Sequence, residues 1–228
     1  MTAALYLIPS SIGAAPEASL PLAALDTVRT LRDFAAENAK SARAFLGAVG
    51  MPCPLRELNI HPIDDRATAL LEPLRHGRPL GVLSEAGCPG VADPGQALVA
   101  AAHAAGYRVI ALAGPSALLL ALMASGLEGQ RFAFCGYLPR EAGARRDRVL
   151  ALERRSREAR ETQIFIETPY RNDVLLDALL AHCAPQSRLC VAADLMRPGE
   201  SIATRSVAEW RRARAPIGRR PAVFLLLA

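Results

Sequence analysis

The chain has 228 residues, 51% of them hydrophobic, which is enough to bury a sizeable core, excludes a disordered chain and sits at the border between one large domain and two small ones. No segment approaches the eighteen or so unbroken apolar residues of a membrane span, and the amino terminus lacks the order of a secretory signal, so a cytoplasmic protein with no membrane partner is expected. The net charge of +5 comes almost wholly from arginine, Lys40 being the only lysine, so a nucleic-acid reading must rest on where the arginines cluster rather than on their number.

Short apolar, β-prone runs recur at 5–8, 55–60, 79–83, 108–113, 132–138, 163–166, 188–193 and 222–227. Between most of them lie stretches of helical periodicity at 27–34, 41–49, 65–75, 95–105, 116–125, 145–155 and 172–182. This alternation is the signature of α/β layering. The helix from Ser116 ends at Gly126, a good left-handed cap, and a polar break follows over 127–131. A domain boundary belongs to this stretch, with an N-terminal α/β domain over 1–115 and a C-terminal α/β domain over 116–228.

Five cysteines (53, 88, 135, 183 and 190) contain no C-x-x-C pair, which suggests reduced thiols rather than a disulfide framework or a clustered zinc site. The four histidines (61, 76, 103 and 182) lack H-E-x-x-H spacing, and no metal is expected. Arg140, Arg145, Arg146, Arg148, Arg154, Arg155, Arg157 and Arg160 crowd one stretch, and Arg211, Arg212, Arg214, Arg219 and Arg220 crowd another near the end. Both are candidate footprints on a polyanion, with a solvated helix face and a ragged tail as the plainer reading.

The strand-to-helix turns have a common chemistry. Asp93-Pro94-Gly95 and Thr168-Pro169-Tyr170 each set a capping side chain before a proline, and Ala113-Gly114-Pro115-Ser116 is a glycine variant. All three follow a strand's carboxyl end, where open α/β sheets bind ligands. Gly87 and Gly90 in the loop 83–95 (LSEAGCPGVADPG) would let backbone approach a bulky ligand, while Pro89 and Pro94 would keep the approach rigid. Neither G-x-G-x-x-G nor a P-loop occurs, so the ligand need not carry phosphate.

LSEAGCPGVADPG (83–95), AGPSALLLALMASGL (113–127), FCGYLPR (134–140) and IFIETPYR (164–171) together resemble, in this order, four motifs of the S-adenosylmethionine-dependent methyltransferases of the tetrapyrrole methylase superfamily. Within it they are most like the ribosomal RNA small-subunit methyltransferase I group, which methylates a cytidine ribose 2′-oxygen. The resemblance covers nearly the whole chain. It implies two α/β domains with the methyl donor, S-adenosyl-L-methionine, in a cleft between them, and a homodimer. It further implies that Ala86, Gly87, Cys88 and Val91 line the donor with Ser116 and Ala117, and that Glu167 approaches from the second domain.

The chain departs from the family's pattern on the side expected near the substrate. LYLIPSSIGA (5–14) stands where the family reads L-Y-L-V-A-T-P-I-G-N, and Glu37-Asn38-Ala39-Lys40-Ser41-Ala42 where it reads E-D-T-R-x-T. Glu85 replaces an aspartate and Cys88 a threonine; no base stands beside Cys88 in its loop to make it a nucleophile. Methyl transfer from a sulfonium is an in-line displacement that needs alignment within about 3–3.5 Å and a dry pocket, with no metal and no covalent intermediate. A ribose hydroxyl would also gain roughly 10²–10⁴-fold from a general base. Glu37, Lys40 and Arg171 are the catalytic candidates, against the alternatives of a Glu37–Lys40 surface pair and an Arg171–Glu167 pair one turn apart.

Three functions remain open: a methyltransferase of RNA in the small ribosomal subunit, a methyltransferase of a tetrapyrrole or other small-molecule acceptor, and a donor-binding module without catalysis.

Overall fold

A computed structural model describes residues 3–63 and 68–228, which form two compact units, Met1–Ser116 and Ala117–Ala228. The first unit runs β1 (Ala4–Ile8), α1 (Pro16–Ser19), α2 (Leu22–Thr30), β2 (Asp33–Ala36), α3 (Ala39–Val49), β3 (Asn59–Pro62), α4 (Glu72–Arg75), β4 (Leu80–Leu83), α5 (Gln96–Ala104) and β5 (Arg108–Ala111). Its five strands form one parallel sheet in the order β3-β2-β4-β1-β5.

Strict alternation along these strands feeds two cores. Tyr6, Ile8, Phe34, Ala36 and Leu83 pack with Leu25, Val28, Leu46 and Val49 of α2 and α3 on one face. Leu5, Ala35, Leu80 and Val82 pack with Leu71, Leu74, Leu98 and Ala102 on the other. Burial on both faces is what lets short, near-continuous apolar runs pair in parallel. Gly81 in β4 is the thin point: a Cβ there would come within 2.7 Å of Ile8 and 2.8 Å of Phe34, whose side chains cross over it.

The second unit runs α6 (Ala117–Ser125), β6 (Phe132–Tyr137), α7 (Ala142–Ala159), β7 (Thr162–Ile166), α8 (Asn172–His182), β8 (Arg188–Ala193), β9 (Ser201–Ser206), α9 (Val207–Arg212) and β10 (Ala222–Leu227). Its sheet has the order β6-β7-β10-β8-β9, with β6 parallel to β7 and the remaining neighbours antiparallel. Phe165 and Phe224 stack with ring centroids 6.0 Å apart, beneath Val149 and Leu152 of α7, the leucines of α8 and Trp210 of α9. The other face carries α6, which packs on β8, β9 and β10.

Several expected elements take another form. The periodicity over 27–34 is not one helix: α2 closes at Thr30, Leu31 is already extended, and Phe34 is a buried strand residue. Val28, Leu31 and Phe34 imitate helical spacing because each belongs to a different piece of chain facing the same core. The run 55–60 opens as a single 3-10 turn at Leu55–Glu57 and becomes strand only at Asn59. The helix expected over 65–75 begins outside the described residues, and inside them it is a 3-10 turn at Ala69–Leu71 followed by the short α4. Asp93 does not cap α5, whose N-cap is Gly95 at φ +129° with no side-chain bond. Thr168 likewise caps nothing; its hydroxyl turns to the neighbouring Glu167.

Candidate functional site

In the first unit the loops after β1, β4 and β5 fold onto one another at the carboxyl edge of the parallel sheet. Ser10 and Gly87 exchange a pair of backbone hydrogen bonds at 2.8 and 3.0 Å. The Ser10 hydroxyl donates to the Ser84 carbonyl at 2.8 Å, and the Ser84 hydroxyl donates to the Gly87 carbonyl at 3.1 Å. Gly87 turns the chain at φ +74°, where an L side chain would be strained. Cys88 ties in the third loop, its thiol donating to the Pro115 carbonyl at 3.5 Å. Burial and the nearby Asp93 push the Cys88 thiol up from its ordinary value, so it stays protonated and is no nucleophile.

This places Gly87 buried, Cys88 and Ser116 half-buried, and Ala86 and Val91 exposed, along the same set of loops. Ala117 opens α6 and belongs with Glu167 and Arg171 to the second unit.

Next to these loops sits a cluster of carboxylates. Asp93 is pushed up to about 6, first by burial and then by the charges of Glu37 and Glu85. Adjacent strands bring them to one edge: Ala36 of β2 pairs with Leu83 of β4, and Glu37 lies one residue past the first strand and Glu85 two past the second. The Ser41 hydroxyl donates to Glu85 Oε1 at 2.5 Å. Asn38 accepts from the backbone N–H of Lys40 at 2.9 Å and so caps α3. Lys40 itself is exposed on the first turn of that helix.

A cavity of about 230 Å³ opens beside the cluster, lined among others by Ser10, Ser11, Ser41, Phe45, Ser84 and Glu85. Of these the sequence singles out only Glu85, as the residue standing where the family has aspartate; the serines and Phe45 are not among its candidates. The available signal was the departure from the family pattern at 9–14 and 37–42, since both altered segments contribute to this wall.

In the second unit, Glu167 follows β7 with its side chain only 1% exposed. Its Oε1 accepts from the Thr168 backbone N–H at 2.7 Å and from the Thr168 hydroxyl at 3.2 Å. Its Oε2 lies 2.7 Å from Arg171 Nη2, but out of line for a hydrogen bond, so the contact is ionic and each atom keeps an unused hydrogen-bonding direction. Arg171 therefore takes the alternative of an ion pair with Glu167. No group of three or more His, Cys, Asp or Glu side chains suited to a metal occurs among the described residues.

The two arginine clusters differ once folded. Arg145 is buried and donates to the Arg140 carbonyl at 2.7 Å, while Arg146, Arg148, Arg154, Arg155, Arg157 and Arg160 are exposed on or just after α7. In the later cluster, Arg211 binds the carbonyls of Leu180 and Cys183, Arg214 pairs with Asp177 at 2.6 Å, and Arg220 with Asp194 at 2.6 Å. Those three serve the fold.

Residues 8–210 match the family described as tetrapyrrole (corrin/porphyrin) methylases. The chain is 38% identical over 175 residues to "Ribosomal RNA small subunit methyltransferase I" of Xylella fastidiosa (strain Temecula1 / ATCC 700964), an alignment covering 77% of this chain and 63% of the relative. It is 33% identical to the protein of the same name from Escherichia coli O157:H7, over 87% of this chain and 67% of that one. The chain thus spans about two thirds of the length of these relatives. Among solved structures it is similar to diphthine synthase (TM-score 0.69, 14% identity, covering 99% of this chain and 90% of that one) and to the methyltransferase CobJ (TM-score 0.64, 21% identity, 99% and 94%), likenesses that show the fold. With the family matched over residues 8–210, most of its length, this chain belongs to the tetrapyrrole methylase family.

Proposed function

We propose that the chain is an S-adenosylmethionine-dependent methyltransferase that acts on RNA of the small ribosomal subunit, at a ribose 2′-hydroxyl. The observation that carries the methyl-transfer reading is the convergence of three loops beside a serine-rich cavity, with Glu85 in its wall, at the carboxyl edge of the first sheet. The RNA reading draws on the names of the relatives and on the exposed arginines of α7.

The residues fit the donor. Gly87, buried at φ +74°, turns the loop, Gly90, exposed at φ +77°, leaves backbone open where a side chain would stand, and Glu37, Glu85 and Asp93 supply negative charge to complement a sulfonium. When bound, S-adenosylmethionine supplies an electrophilic methyl group. Ala86, Gly87, Cys88, Val91 and Ser116 are the first unit's residues that would hold it. The serine hydroxyls of the cavity and the Phe45 ring suit a sugar and its base. Asp93, held near 6, is the carboxylate of this edge best tuned to take a hydroxyl proton at neutral pH, with Glu37 beside it. Arg171, fixed by Glu167, would act as a positioned cation.

The homodimer implied by the family resemblance and the cytoplasmic location expected from the composition belong to this proposal. Among the described residues no helix is long and apolar enough to cross a membrane.

Incubation of the protein with donor labelled in its methyl group, small ribosomal subunits and a small-molecule extract tests the reading. Label recovered in a 2′-O-methylated nucleoside of the RNA is expected. Label confined to the small-molecule fraction would replace RNA by a small acceptor, and donor binding without transfer to either would leave a binding module.

A further inference from the structure

We propose that two copies of the chain meet across α6 and β6 of their second units, the α6 of each lying on the uncovered β6 of the other. This rests on the homodimer named above and adds the surface that forms it.

One row of side chains crosses the second sheet on a single face, because residues directly opposite in register share a face. Thr204 of β9 stands opposite Cys190 of β8, Cys190 opposite Leu225 of β10, Leu225 opposite Ile164 of β7, and Ile164 opposite Phe134 of β6. α6 is fixed over the β9 end of this row, where the Thr204 hydroxyl donates to the Ser125 carbonyl at 2.6 Å, and it packs on β8, β9 and β10. Cys190, Leu225 and Ile164 are fully buried, and the row opens only at Phe134. Phe165 and Phe224 point to the other face, which α7, α8 and α9 cover.

Phe132, opposite Thr162, shares the face of Phe134 by alternation. Tyr137 would not, but the register slips by one residue after Phe134, with Gly136 at φ +66°, and sets Tyr137 opposite Ile166 on that same face. The three rings are 42, 37 and 57% exposed, and on the same side of the sheet the outer surface of α6 shows Leu119 at 51% and Met123 at 80%.

Neither α6 nor β6 contains a charged residue. A helix that is apolar all round belongs in an interior, so the outer side of α6 calls for a cover as the β6 rings do. The five side chains expose on the order of 500 Å² in each copy. Two copies facing each other would then remove about 1,000 Å², the lower bound of a specific interface, before any neighbouring residue is counted. The face also fits itself: α6, about 10 Å thick, stands over β8, β9 and β10 and stops short of β6, a ridge beside a step. A two-fold axis sets each ridge in the other's step and makes the same contact twice.

RNA would ask for cations along the row, and the arginines nearest in sequence, Arg131 and Arg140, flank the ends of the strand rather than its face. For a chain of net charge +5, an uncharged face is where a second copy approaches with least repulsion.

Sedimentation equilibrium of the full chain, with variants alone and mixed, tests this. The parent should sediment as a dimer, and Met123→Lys and Phe134→Glu should each raise the dissociation constant of the dimer at least about tenfold, since each buries unpaired charge twice in its own dimer. Mixing the two variants should restore the dimer, because the lysine of one copy then faces the glutamate of the other while the second contact keeps its parent residues. Leu22→Glu, at an exposed leucine of α2, should dimerise as the parent does, and circular dichroism should show all three variants folded. A monomeric parent overturns the proposal, and label transferred to small subunits by that monomer would leave the methyltransferase standing. Variants at 123 and 134 that stay dimeric overturn it as well, and a loss of affinity for single-stranded RNA in those dimers would give the face to RNA. Monomeric variants that mixing fails to rescue overturn the seating of α6 on β6.

Discussion

Gly114 shows how closely the loops of the first unit are fitted. A Cβ at this position would lie 2.4 Å from the Cβ of Pro9 and 2.8 Å from Leu20, and Pro9 is the residue that this chain carries in place of the family's alanine. Gly114→Ala should therefore destabilise the protein by about 2 kcal/mol in thermal or denaturant unfolding, because the contact with the ring of Pro9 cannot be relieved by a rotamer change. Asp93 gives a second prediction, with a sign. Its folded pKa of about 6 lies above the ordinary aspartate value, so the folded state binds the proton more tightly than the unfolded chain does. Its contribution to stability is complete below about pH 4 and is lost as pH rises through 6. Asp93→Asn should remove that fall and raise stability at pH 7.5 by about 1 kcal/mol, after allowance for solvent screening at a half-exposed carboxylate. Unfolding midpoints at pH 5 and 7.5 check both the sign and the loss of pH dependence. Glu85→Gln should shift the same transition to lower pH, since one of the charges that raise Asp93 is gone.

Elements were legible where local and tertiary preferences agree. β8, β10 and α8 have the bounds that the sequence predicts, because VAA and VFLLL runs are buried strands on any reading and Asn172–His182 sets leucines at helical spacing. β2 was illegible because Asp33-Phe34-Ala35-Ala36 offers a single strong β-former, and its place in the sheet is decided by β3 and β4 on either side. β9 was missed for the opposite reason: Ser201–Ser206 is an edge strand, half-exposed and polar, and only its pairing with β8 defines it. The short α9 that follows is held by a complete capping box between Ser206 and Glu209. Ser206→Ala should cost about 1 kcal/mol of stability, as should Asn38→Ala at the start of α3. Urea unfolding would register both, and no loss in either variant would mean that packing alone holds these helices.

At the scale of the molecule, alternation of strand and helix suffices to predict α/β architecture, but the two units are built differently. The first sheet is wholly parallel, and its carboxyl edge collects the loops after β1, β4 and β5 into one place. The motif at 83–95 was readable as a ligand loop because glycine and proline have local meanings. The cavity beside it was not, because Ser10, Ser41 and Ser84 are unremarkable residues that become neighbours only when β1, β2 and β4 lie together. The buried Arg145 and the engaged Arg211, Arg214 and Arg220 make the same point for charge: a cluster in sequence says nothing of which cations the fold consumes.

The central claim is that the loop turned by Gly87 holds the methyl donor. Calorimetric titration of the parent protein and of Gly87→Val with S-adenosylhomocysteine tests it most directly, since the branched side chain is strained at φ +74° and fills the loop from within. The account predicts saturable, one-to-one binding by the parent and at least a tenfold loss in the variant, with circular dichroism showing both folded. Equal affinity in two folded proteins would contradict it and place the donor elsewhere.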